Sequence, residues 1–158
     1  MRSGALVLLS AAFLICGGAS CVQSTKITQE YINAPVNLTM SLVGTQTYQV
    51  SFFSDNREGN FGGYGIFTGN SAAALNTAID DMPVDISAAQ AFCTIGAQAT
   101  YGTRVAIQIG PAAAGVAAGT ALCDITTLTL TSGSYIALRA RVERTSRAWS
   151  AAAIVQVP

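Results

Sequence analysis

The sequence predicts an all-β domain, an antiparallel sandwich of about seven strands that follows an export signal. Apolar and polar residues alternate along several segments after Ala34, which is typical of half-buried strands. Turn-forming residues separate these segments at the spacing expected of a sandwich. A short apolar run closed by small residues occupies the N-terminus, and this order is typical of a secretory signal peptide.

Composition argues against several function classes. The chain has 158 residues, the length of one domain. Its eight basic and eight acidic residues cancel, so we expect no nucleic-acid partner, because phosphate binding needs an excess of Lys and Arg. The chain has no histidine, which excludes Ser-His and Cys-His nucleophile pairs and His-containing zinc sites. We therefore predict a non-catalytic protein without cofactor or metal.

The N-terminus has the three parts of an export signal. Arg2 supplies the positive charge, residues 5–16 are apolar, and residues 17–20 are small. The apolar run of about 12 residues is shorter than the roughly 20 that a membrane-spanning helix needs. We predict that residues 1–20 are a cleaved signal peptide.

Cys21 follows directly on this signal. The stretch Gly-Ala-Ser-Cys resembles a bacterial lipobox of the relaxed kind found in spirochaete lipoproteins, with Gly18 where the usual box has Leu. The same stretch also suits ordinary signal peptidase, which leaves an unmodified Cys21 as the alternative. The resemblance implies lipid on Cys21, and residues 21–33 then form a polar tether.

The cysteine count agrees with this interpretation. The chain has four cysteines, Cys16, Cys21, Cys93 and Cys123, and the first leaves with the signal. If Cys21 carries lipid, only Cys93 and Cys123 remain, and an oxidising compartment pairs them. In the chain-entropy model such a bridge stabilises the fold by about 3–4 kcal/mol.

Strands and turns alternate along the rest of the chain. Three strands are predicted first, over residues 36–42, 47–53 and 61–67. Ser71 as an N-cap and Pro83 as a stop predict a short helix, and Asp85 and Ser87 predict a further capped turn. Four strands complete the sandwich, over residues 103–110, 120–130, 135–144 and 151–157.

The order of these elements resembles a fibronectin type III domain. Four segments carry the resemblance: NAPVNLTMSLV, TYQVSFFSD, GGYGIFTG, and the pair LTLTSGSYIALRARV and SRAWSAAAIVQV. Phe52 stands where that family has a core Trp, and Tyr64 and Phe67 match its Gly-Tyr strand. The resemblance implies an immunoglobulin-like sandwich over residues 34–158. Residues 71–119 exceed the family's middle segment and form an insertion with a short helix, closed by the disulfide. Another immunoglobulin-like or jelly-roll sandwich is the alternative.

The carboxylates form no recognisable catalytic or calcium-binding motif. Asp80, Asp81 and Asp85 cluster after the predicted helix and are interpreted as a solvated helix end. The other candidate acids are Asp55, Glu58, Asp124 and Glu143.

A basic and aromatic cluster lies near the C-terminus, formed by Arg139, Arg141, Arg144, Arg147 and Trp149. Spacing by two places Arg139 and Arg141 on one outward strand face, and a hairpin places Trp149 across from Arg141. One interpretation is a contact patch for an acidic partner, a polysaccharide or anionic headgroups. The favoured interpretation is a solubilising outer face with a structural Arg–Trp stack worth about 0.5–1 kcal/mol.

These observations predict a binding or spacer module, anchored to the cell envelope through lipid on Cys21 or secreted. Its partner would be a protein or a glycan, bound by loops at residues 55–60, 71–119 or 143–148. The first alternative is a structural subunit of a surface layer or filament, whose strands add edge to edge. A glycan hydrolase that uses two acids is the least favoured alternative.

Overall fold

The computed structural model describes residues 32–56, 60–95, 101–111, 115, 120–143, 145 and 148–158. Within these residues the chain forms eight strands: β1 (Val36–Gly44), β2 (Thr47–Asp55), β3 (Phe61–Gly69), β4 (Ala91–Cys93), β5 (Tyr101–Ile109), β6 (Ala121–Ile125), β7 (Tyr135–Val142) and β8 (Ala153–Gln156). A short helix, α1 (Ala72–Leu75), and two 3₁₀ turns, Ile79–Asp81 and Ile86–Ala88, lie between β3 and β4.

The strands form two sheets that pack face to face, which confirms the predicted all-β sandwich. The first sheet has the order β1-β2-β5-β6 and the second has the order β4-β3-β7-β8. Neighbouring strands are antiparallel with one exception, since β6 runs parallel to β5. The prediction of a purely antiparallel sandwich is therefore wrong for this pair. A parallel pair needs a crossover connection of about a dozen residues, and residues 110–120 connect β5 to β6.

The core lies between the sheets and follows the predicted alternation. Phe52 of β2 and Tyr64 of β3 are fully buried and pack edge to face, with ring centroids 4.6 Å apart. The Tyr64 hydroxyl donates a hydrogen bond of 2.6 Å to Ser54 Oγ across the core, so the buried polar group has a partner. Phe52 thus occupies the core position expected of it.

The segment between β3 and β4 is less helical than the sequence predicts. Ser71 is the N-cap, since its hydroxyl accepts a hydrogen bond from Ala74 N at 3.2 Å, and Asp85 caps the second 3₁₀ turn through Ser87 N at 2.8 Å. Both predicted caps are confirmed. The helix nevertheless ends at Leu75, its one buried residue, and the carbonyls of Leu75 and Thr77 accept hydrogen bonds from Arg139.

A disulfide between Cys93 of β4 and Cys123 of β6 joins the two sheets. It confirms the predicted pairing. The loop that this disulfide closes does not contain α1, contrary to the prediction, because that helix precedes Cys93 in the chain.

The two lateral sides of the sandwich differ in construction. On the side with the disulfide, called here the closed side, β4 lies beside β6. On the opposite side, called here the open side, β1 lies beside β8. Each of these four strands is the last one in its sheet.

Candidate functional site

Arg139 lies on β7 and points away from the core, on the outer face of the second sheet. It is nevertheless only 1% exposed. Its guanidinium donates hydrogen bonds to three backbone carbonyls: Ser150 O at 2.9 Å, Leu75 O at 3.1 Å and Thr77 O at 2.7 Å. Burial lowers the pKa of Arg139 below its usual value, but a guanidinium keeps its charge at any physiological pH. The positive charge of Arg139 is therefore stabilised by the dipoles of three peptide groups.

Trp149 lies on the same outer face and is 1% exposed. Its indole Nε1 donates a hydrogen bond of 2.7 Å to Pro83 O. Phe67 and Phe92 pack edge to face against its ring, with centroids 5.4 Å and 6.2 Å away. Gly65 lies directly under the indole, where a Cβ atom would be 2.5 Å from Trp149 Cζ3. Trp149 is thus the centre of a second, smaller core.

Arg141 forms the predicted pair with Trp149. The two residues form an antiparallel bridge, and the Arg141 guanidinium carbon lies 5.6 Å from the centroid of the indole. One guanidinium nitrogen donates to Val84 O at 3.1 Å. Among the described residues its buried Nε has no hydrogen-bond partner. The stack is confirmed.

The segment 71–90, called here the cover, explains why this cluster is buried. The cover supplies four backbone carbonyls that accept hydrogen bonds from Arg139, Arg141 or Trp149. They are the carbonyls of Leu75, Thr77, Pro83 and Val84. The prediction of an exposed outer face at Arg139 and Trp149 is therefore wrong. The alternation along β7 correctly assigns both arginines to one face, but it carries no information about a distant segment that packs over that face.

Several predicted positions lie outside the described residues. These are the signal peptide 1–20, the lipidation site Cys21 and most of the tether 21–33. The candidate patch residues Arg144 and Arg147 and the acid Glu58 are also outside them.

The described candidate acids are exposed: Asp55, Asp80, Asp81, Asp85, Asp124 and Glu143. Asp85 caps a turn, and the hydrogen bond from the Ser87 backbone N–H lowers the pKa of its carboxyl. No group of His, Cys, Asp and Glu side chains that could hold a metal occurs in the described part of the chain. The described acids thus form neither a metal shell nor a buried pair of the kind that general acid–base chemistry uses.

An arginine–aromatic pair that the sequence analysis missed lies on the outer face of the first sheet. The Arg104 guanidinium carbon lies 5.1 Å from the centroid of the Phe53 ring. Arg104 is exposed, and the pair borders a groove of about 210 Å³ together with Asn37, Thr39 and Ser51. Sequence alone could not find it, because the pairing of Phe53 with Arg104 depends on the register of β2 against β5.

A larger open groove of about 580 Å³ lies between the end of β3 and the connection from β6 to β7. Its lining consists of residues 68–70 and 129–134, and it is rich in hydroxyl groups without a charged or aromatic side chain. Ligand sites combine an apolar wall with a few polar groups that fix orientation. This groove lacks the apolar wall and indicates no specific ligand.

The open side contains the longest terminal strand in the described part of the chain. β1 has nine residues, ends its sheet, and is exposed along most of its length. Two of its apolar side chains are strongly exposed, Val36 at 46% and Leu42 at 59%. The terminal strand of a sheet presents unpaired N–H and C=O groups to any strand that approaches it. β1 is therefore a candidate interaction surface.

No known protein family, curated protein or solved structure matches this chain. No helix in the described residues is long and apolar enough to cross a membrane. The site must therefore be interpreted from its own geometry.

Proposed function

We propose that the protein is an exported, non-catalytic module of the cell envelope. Its sandwich binds a partner or acts as a spacer between other parts of an assembly. The observation that carries this proposal is the Cys93–Cys123 disulfide. Disulfides persist in exported proteins and are rare in reducing compartments. The apolar N-terminal run and the small residues before Cys21 support export and a lipid anchor independently of the fold.

The use of polar groups also favours binding over catalysis. The strongest cluster of charge and aromatic character in the described residues, Arg139 with Trp149, is buried under the cover and donates hydrogen bonds to backbone carbonyls. The accessible features of the described residues include a sheet edge, an Arg104–Phe53 pair and loops. Such features suit recognition by backbone pairing and surface contacts.

The proposed fold type is an immunoglobulin-like sandwich of the fibronectin type III kind. Two parts of the strand order support it. The hydrogen-bonded neighbours β1-β2-β5 and β3-β7-β8 correspond to the strand sets A-B-E and C-F-G of such sandwiches. The parallel strand β6 is an addition to that pattern.

Intact-mass spectrometry of the protein purified after export tests the proposal. We expect loss of residues 1–20, a diacyl or triacyl addition on Cys21, and a mass two hydrogens lower than that of the reduced protein. The matched control is Cys21→Ser, which should be exported without the acyl mass. A full-length chain with free thiols that stays in the cytoplasm would refute export, and wild-type protein without an acyl group would refute the anchor.

A further inference from the structure

The open edge of the sandwich carries no charge. None of the nine residues of β1 is charged, and neither is any residue of β8 beside it. Natural proteins protect terminal strands from pairing with lysine, proline, bulges or a covering segment. Here Pro35 precedes the strand, and irregular register occurs only near its two ends. Between them, residues 39–42 pair regularly with residues 51–48 of β2.

The inward row of β1 is incompletely covered. Leu38 and Met40 pack against the core but are only partly buried, and Leu42 is 59% exposed. A strand that pairs with the free edge of β1 would place its own side chains beside this row and remove apolar surface from water. The edge of β1 thus offers a partner strand both backbone hydrogen bonds and a row of partly exposed apolar side chains to pack against.

We propose that β1 pairs with β1 of a second copy of this chain, in an antiparallel dimer that makes one continuous sheet from the two first sheets. This dimer rests on the proposed function as a binding module and identifies the partner as a second copy of the chain. A two-fold dimer requires a self-complementary surface, and an uncharged edge on a chain of net charge zero brings no like charges together. A charged partner would find no opposite charge on this edge. The nine residues of β1 span roughly 30 Å.

The other strands at sheet ends fit this role less well. β6 has five residues and includes the exposed Asp124, and a charged side chain is one of the features that protect a terminal strand from pairing. β4 has three residues and lies next to the disulfide. β8 is uncharged but has only four residues. β1, with nine residues, is therefore the longest terminal strand among the described residues.

Sedimentation equilibrium of the exported protein over a range of concentrations tests the dimer. Wild-type protein should reach twice the monomer mass as concentration rises, and Cys21→Ser protein should do the same, which separates edge pairing from association through lipid. Ser41→Lys adds a charge to each exposed edge and should raise the dimer dissociation constant at least about tenfold. The matched control Ser132→Lys, in an exposed turn, should change it by less than about twofold.

Hydrogen exchange provides the local measurement. Amides of residues 36–44 should exchange more slowly at high protein concentration, and those of residues 121–125 should not change. Unaltered circular dichroism of Ser41→Lys would show that the exposed substitution leaves the fold intact. A monomer at all concentrations, a dimer that Ser41→Lys leaves unchanged, or a series of ever larger assemblies would overturn the two-fold pairing. A lipid-bearing monomer would overturn the dimer alone and leave the proposed envelope module standing.

Discussion

The closed and open sides of the sandwich are stabilised by different means. On the closed side, the Cys93–Cys123 disulfide joins the sheets, and Phe92 of β4 packs on Trp149 beneath the cover. On the open side, β1 meets β8 through non-covalent contacts, and Leu42 and Val36 are largely exposed. We therefore expect the closed side to contribute more to stability than the open side. We also expect that a partner strand can pair with the outer edge of β1 without disturbing the core.

The largest expected effect comes from Trp149→Ala. It removes the centre of the second core and leaves the Pro83 carbonyl without its donor, so we expect the free energy of unfolding to fall by about 3–5 kcal/mol. Leu42→Ala on the open side should cost less than about 1 kcal/mol, because that side chain is already mostly solvated. Urea denaturation followed by circular dichroism measures both. Equal losses would contradict the role of Trp149 as the centre of the second core.

Removal of the disulfide should have the next largest effect. The double substitution Cys93→Ala and Cys123→Ala should lower the free energy of unfolding by about 3–4 kcal/mol, because the unfolded chain regains the entropy of an open loop. Hydrogen exchange in β6 should then approach the rate in monomeric β1. Reduction of the wild-type protein is the control and should give a similar loss. A reduced protein as stable as the oxidised one would show that the closed side is held by packing alone.

The smallest expected effect concerns pH and the exposed cap of the cover. The hydrogen bond from Ser87 N lowers the pKa of Asp85 below its usual 3.8, so the ionised carboxylate favours the folded state. This contribution is present above the pKa of the unfolded chain and is lost as pH falls through the lower folded pKa. Asp85→Asn keeps an acceptor but does not titrate.

The urea midpoint of wild-type protein should therefore exceed that of Asp85→Asn near neutral pH. The difference should shrink as the pH falls from about 5 to about 2. A difference that does not depend on pH would contradict the role of the ionised cap. β1 and β8 carry no titrating group. The destabilisation caused by a substitution on the open side should therefore not depend on pH in this range.

The cover shows how far local sequence rules extend. Ser71 and Asp85 predicted both caps correctly, because a cap is a contact between residues two or three positions apart. The same rules predicted too much helix after Leu75. The carbonyls of Leu75 and Thr77 accept hydrogen bonds from Arg139 instead, and a residue more than 60 positions away cannot be identified from local pattern.

The sequence by itself determined the alternating strands, the face shared by Arg139 and Arg141, and the cysteine pair, since each follows from local periodicity or from counting. Only the tertiary structure decided that β6 runs parallel to β5, that the cover buries one outer face, and that β1 is a terminal strand among the described residues. Periodicity assigns each side chain to one face of its strand, whereas the neighbour that lies over that face or beside that edge depends on how distant segments pack.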